Sequence, residues 1–104
     1  MPVLSLTAAP LPTRAAEEDA LARLGHAVAA ALSLPDDGVV VTLVHAAPAA
    51  ERAWPVLIGY GRPRAPEAMR AALDAARRVV AEAWQTHPDA VWAQWCLDVQ
   101  TPPA

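Results

Sequence analysis

The sequence contains no lysine: all eight basic side chains among its 104 residues are arginine. Side-chain amine chemistry, whether through a Schiff base or a desolvated general base, ordinarily uses lysine. The only amine expected here is therefore that of the chain terminus. Cysteine is nearly absent as well. Cys96 stands alone, which excludes an internal disulfide and a cysteine-built zinc site; it reads as a small apolar residue buried in a strand. Positive charge is scarce too. The formal net charge is −3, with no basic stripe to follow a phosphate backbone, so no nucleic-acid partner is expected. No apolar run reaches the roughly 18 residues of a membrane span, and no positive side chain precedes Arg14 as a secretory signal would require. The expectation is a soluble, cytoplasmic protein with no membrane partner. Serine–histidine–acid arrangements, phosphate loops and nucleotide fingerprints are missing. His26, His45 and His87 share no ligand spacing and read as structural, so neither a metal nor a cofactor is expected.

What is present is apolar and repetitive. A composition of 55% hydrophobic and 18% charged residues describes one globular domain spanning residues 1–104, with much of the apolar content in helix-favouring alanine. "PVL" occurs at Pro2 and again at Pro55, and "LPDD" at Leu34 is echoed by "HPDA" at His87. Both separations are 53 residues, and two matches at one period indicate an internal duplication. The units cover about residues 2–48 and 54–99, with a frayed tail at 100–104.

Each unit has the same order of elements. "PVLSLTA" at 2–8 reads as a strand ended by the prolines of "APLPT". Thr13 is placed to cap a helix whose first turn carries Glu17, Glu18 and Asp19, with Leu21, Leu24, Val28 and Leu32 on one face. Pro35 to Gly38 end it. "VVVTLVH" at 39–45 reads as a strand buried on both faces. In the second unit Val56–Tyr60 is a strand, and Pro66 suits a first helical turn. Met69, Leu73, Ala76, Val80 and Trp84 line the second helix, and "AVWAQWCLDV" is the last strand. The fold class is α+β: duplicated βαβ units forming a four-stranded sheet with both helices on one face. The other face of that sheet is too apolar for water, which predicts oligomerisation.

A proline directly after Met1, a βαβ unit of this length and its duplication resemble the tautomerase superfamily. The single-unit members are similar to 4-oxalocrotonate tautomerase, and the duplicated ones include macrophage migration inhibitory factor. The resemblance covers residues 2–99, and "THPDAVW" echoes the "ISPDRVY"-like turn and strand of the migration-factor branch. It implies a homotrimer whose sheets wall a central channel, and a tautomerase or isomerase acting on a small enolisable carbonyl compound.

Chemistry explains why position matters. A mid-chain proline is an amide with no basic nitrogen. If Met1 is removed, Pro2 becomes a secondary amine; an α-amino group titrates near about 8 in the reference state, and burial lowers that by disfavouring the charged form. A neutral amine suits general-base transfer of a proton from a carbon next to a carbonyl. Pro55, acylated by Trp54, cannot do this.

The remaining site residues follow from the resemblance. The family's aromatic-x-Asn pattern, which reaches the neighbouring subunit's site, is here Trp92-Ala-Gln94. Tyr60 is placed to donate a hydrogen bond to an enolate. Members that bind carboxylates carry a basic residue near the second strand, where this chain has Leu34, Val39 and Val40. Carboxylate recognition then falls to Arg14, Arg62 or Arg64, with Arg62 the leading candidate, and the tryptophans suggest an aryl 2-ketoacid. Two alternatives stand beside this reading. One is a noncatalytic trimer that binds or scaffolds. The other is a lyase or hydratase using protonated Pro2 as an acid, for which Glu51 and Asp98 are the nearest water-activating carboxylates.

Overall fold

The computed structural model describes residues 2–46 and 55–97. Strand β1 (Val3–Ala8) leads to helix α1 (Arg14–Ala31) and strand β2 (Val40–His45). Then β3 (Val56–Gly61), α2 (Pro66–Ala83), a 3₁₀ turn at Pro88–Ala90 and β4 (Trp92–Leu97) repeat the pattern. The sheet order is β2-β1-β3-β4. Within each unit the two strands run parallel, and the units meet through the antiparallel β1–β3 pair.

Local chemistry sets the helix ends. Thr13 is extended (φ −134°, ψ 154°) and its hydroxyl accepts from Ala16 N–H at 3.1 Å, capping α1, while Pro66 opens α2 with a preset φ. Both helices close in the same way. Ser33 and Gln85 take positive φ, 56° and 52°. The next amides, Leu34 and Thr86, then reach back to Ala29 O and Ala81 O at 2.8 and 2.9 Å. These are paired Schellman endings built without glycine. The duplication is therefore preserved in backbone geometry where the letters differ.

Both helices pack on one face of the sheet, as expected. The core holds Leu4, Leu6, Leu24, Val28, Leu57 and Val80, each at most 1% exposed, with Ala20, Ala29, Ala72, Ala76 and Ala81 buried among them. Those alanines let α1 and α2 approach closely over a thin core.

One expectation is corrected. β2 is not buried on both faces: it is an edge strand whose helix-side residues Val41 and Leu43 are half-buried. Its other side stands open, with Val40 and Val44 at 41% and 52% exposure. A continuous β-branched run looks the same whether a helix or a second molecule covers its outer side.

The register defines that open face. It carries Val40, Thr42 and Val44, then Val3, Ser5 and Thr7, then Val56, Ile58 and Tyr60, then Trp92, Gln94 and Cys96. None of the twelve is charged. Cys96 is half-buried on this face, not in the core where its apolar character suggested. No described helix is long and apolar enough to cross a membrane.

Candidate active site

Pro2 enters the sheet just ahead of β1. Its side chain is under 2% exposed, and its carbonyl accepts from Val40 N–H at 3.0 Å. Proline, with no N–H to give, fits the first position of a strand. Pro55 occupies the matching place: it is buried, and its carbonyl accepts from Trp92 N–H at the same 3.0 Å.

The surroundings of the two prolines differ. Because β1 and β3 are antiparallel, the end of β3 lies beside the start of β1. That end reads Gly59-Tyr60-Gly61, and the two glycines face the helix layer. A Cβ at Gly59 would meet Trp95 Cε3 at 2.7 Å and Cζ3 at 2.9 Å. A Cβ at Gly61 would lie 3.1 Å from Trp95 Cζ2, 3.3 Å from Arg64 Nη1 and 3.7 Å from Pro2 Cα. The glycines are thus a slot that admits the Trp95 indole, and at its far end Trp95, Arg64 and Pro2 converge on one point.

Arg64 is half-buried and donates to the carbonyl of Arg62 at 3.3 Å. Among the described residues it has no carboxylate partner. The Trp95 Nε1 is buried and lacks a hydrogen-bond partner among the described residues, an arrangement that costs about 1–3 kcal/mol. Trp84 shows the contrast, since its indole N–H donates to Ala9 O at 2.7 Å.

The other residues singled out from sequence fall elsewhere. Arg62 lies in the same turn as Arg64 but is exposed. Tyr60, 45% exposed, is at the Pro2 end but on the opposite, open face, across from Val3 and Cys96. Trp92 and Gln94 share that face, as their alternation predicted, yet they pair with Val56 and Ile58. Four residues of strand, about 13 Å, separate Trp92 from the level of Cys96. A single chain therefore does not bring Trp92 or Gln94 to Pro2. Arg14 is exposed and pairs with Glu18 at 3.3 Å. Trp95 and Arg64, and not Arg62, are the side chains that meet Pro2 at Gly61; two glycines two apart on one strand face are the sequence's sign of a large neighbour.

Other polar groups serve the fold. The Glu17 carboxylate accepts from Leu11 N–H at 3.1 Å and lies 2.6 Å from His45 Nε2, tying the β1–α1 loop to the end of β2. His26 pairs with Asp36, and His87 Nδ1 accepts from Asp89 N–H. No cluster of metal-ligating side chains occurs among the described residues. An open cavity of about 620 Å³ at Asp74, Arg77, Arg78, Pro88, Asp89 and Val91 holds none of the predicted site residues. Glu51 and Asp98 lie outside the described residues.

No protein-family model and no curated protein sequence matches the chain. Solved structures do. A native fused 4-OT superposes with a TM-score of 0.82 at 18% identity, covering 92% of this chain and 86% of its own. Malonate semialdehyde decarboxylase gives 0.78 at 16%, covering 98% and 88%. A macrophage migration inhibitory factor-like protein of Entamoeba histolytica gives 0.78 at 7%, covering 93% and 88%. Further fused 4-OT structures of this shape are asymmetric and symmetric trimers. With its βαβ–βαβ order, mixed four-stranded sheet and paired helices, the chain has the 4-OT/MIF-like tautomerase fold.

Proposed function

We propose that this chain is a tautomerase-superfamily isomerase acting as a cytoplasmic homotrimer, with Pro2 as its general base once Met1 is removed. The observation that carries the reading is a fully buried Pro2 at the start of a central strand with a half-buried arginine, Arg64, beside it. Burial keeps a freed amine neutral by disfavouring its charged form. The neutral nitrogen takes a proton from the carbon next to a substrate carbonyl, and the C–H electron pair moves onto the carbonyl oxygen. The protonated amine then returns its proton to another atom of the enolate. Arg64 supplies the positive charge that the second strand lacks and anchors a substrate carboxylate.

The uncharged open sheet face is the assembly surface, and the trimeric fused 4-OT proteins of like fold support a trimer. Trp92 and Gln94 take part by reaching the Pro2 site of a neighbouring copy. Tyr60 and Arg62 line its outer side at the same end of β3. The substrate is a small enolisable carbonyl compound, with an aryl 2-ketoacid the best fit to an aromatic, arginine-bearing site.

The test is intact mass followed by assay. Protein lacking Met1 should convert phenylpyruvate between enol and keto forms, and Pro2→Ala should lower kcat by about 10²–10⁴-fold. Retention of Met1 in protein from its native host, or a Pro2→Ala enzyme of full activity, refutes the base.

The likeness to malonate semialdehyde decarboxylase supports a second reading, a lyase or hydratase in which Pro2 works protonated. The pH–rate profile separates the two. A base loses activity as pH falls through the Pro2 pKa, whereas an acid loses it as pH rises. A noncatalytic trimer would show neither limb.

A further inference from the structure

Resting on the reading of Pro2 as a base, we infer that the indole N–H of Trp95 is a catalytic hydrogen-bond donor to the substrate oxygen that becomes the enolate. Three observations lead there. The Trp95 Nε1 is buried without a partner among the described residues, although any apolar side chain could fill the same slot at no polar cost. The slot is purpose-built: Gly59 and Gly61 are both stripped of side chains beneath this ring, with would-be Cβ contacts of 2.7 and 3.1 Å. And the six-membered ring runs along the slot toward the Pro2 end. Cε3 and Cζ3 lie over Gly59, whereas Cζ2, two bonds from Nε1, lies over Gly61, the glycine that Pro2 Cα and Arg64 Nη1 also approach.

The chemistry at that point calls for donors. As Pro2 removes a proton, the C–H electron pair becomes charge on the carbonyl oxygen, and fixed donors in a dry site stabilise that charge most. Indole nitrogen only donates, so Trp95 neither accepts the proton nor competes with Pro2 for it. Arg64 and Trp95 divide the work, with the guanidinium on the carboxylate and the indole on the adjacent oxygen.

The experiment has two arms. In the Met1-processed enzyme, Trp95→Phe and replacement of Trp95 by 3-benzothienylalanine, which keeps the bicyclic shape without the N–H, should each lower kcat for phenylpyruvate by about 10²–10³-fold while KM changes little. The second arm needs no turnover. In ¹⁵N-tryptophan-labelled Pro2→Ala protein, the indole N–H resonance missing from the Trp95→Phe spectrum should move downfield as phenylpyruvate is added. A resonance that stays put at saturating phenylpyruvate, or a benzothienylalanine enzyme with wild-type kcat, overturns the donor role. Full activity in Pro2→Ala would instead overturn the base, leaving the titration to report on Trp95 independently.

Discussion

Gly59→Ala places a methyl group where the Trp95 ring already lies. The new Cβ would stand 2.7 Å from Cε3, 2.9 Å from Cζ3 and 3.3 Å from Leu4 Cδ2, and Leu4 is a fully buried core residue. The indole is rigid and packed against the core, so relief requires moving the whole ring. Overpacking of this kind costs about 1–3 kcal/mol. The substitution also stiffens the unfolded chain, which returns about 0.4–1 kcal/mol. A net loss of about 1–2 kcal/mol is expected, which in a domain of this size lowers the thermal midpoint by about 5–10 °C. Thermal or urea unfolding followed by circular dichroism measures it, at one fixed protein concentration because the proposed assembly would couple stability to concentration. The decisive comparison is the same substitution in a Trp95→Leu background. With the ring gone, Gly59→Ala should become neutral or mildly stabilising, a non-additivity of about 1–2 kcal/mol between touching sites. Equal losses in both backgrounds would refute the glycine slot as the cause.

Two further predictions concern assembly and helix ends. Ile58→Lys puts a charge in the middle of the uncharged open face; if that face is the proposed trimer interface, burying the charge unpaired costs several kcal/mol, so sedimentation velocity should show the variant as monomers and the wild type as the proposed trimer, with the helical circular-dichroism signal retained in both. Ser33→Gly relieves a side chain held at φ 56°; because glycine adopts that region freely, chemical denaturation should show a gain of about 0.5–1 kcal/mol.

Much of the fold was legible because its signals are local. Alternation and β-branching located four strands, while Thr13 and Pro66 marked helix starts that the structure places at Arg14 and Pro66. The repeat was legible from two short matches at a separation of 53 residues, and the Schellman endings at Ser33 and Gln85 repeat it in the backbone one residue out of that register. The burial of β2 was misjudged because the run "VVVTLVH" carries no information about who covers it. Only the sheet order, with β2 at an edge, and the exposure of Val40 and Val44 show that its outer side is open in the single chain.

The site was less legible, because it is made by register. Alternation correctly separated Trp92 and Gln94 from Ala93 and Trp95, but only the β1–β3 and β3–β4 pairings decide which pair belongs to Pro2's side of the sheet. The two halves show how the site became one-sided. Leu6 pairs with Leu43 in the first unit, and at the matching places of the second Gly59 pairs with Trp95. Ala8 similarly corresponds to Gly61. Antiparallel pairing puts the end of β3 beside Pro2 and the end of β1 beside Pro55. The first unit's leucines therefore close the Pro55 end as ordinary core, while the second unit's glycines and indole open the Pro2 end to Arg64. Both prolines make the same 3.0 Å carbonyl bond, so backbone geometry does not distinguish them. What does is an amine that only Pro2 can acquire, and the side chains that the other half of the molecule has placed around it.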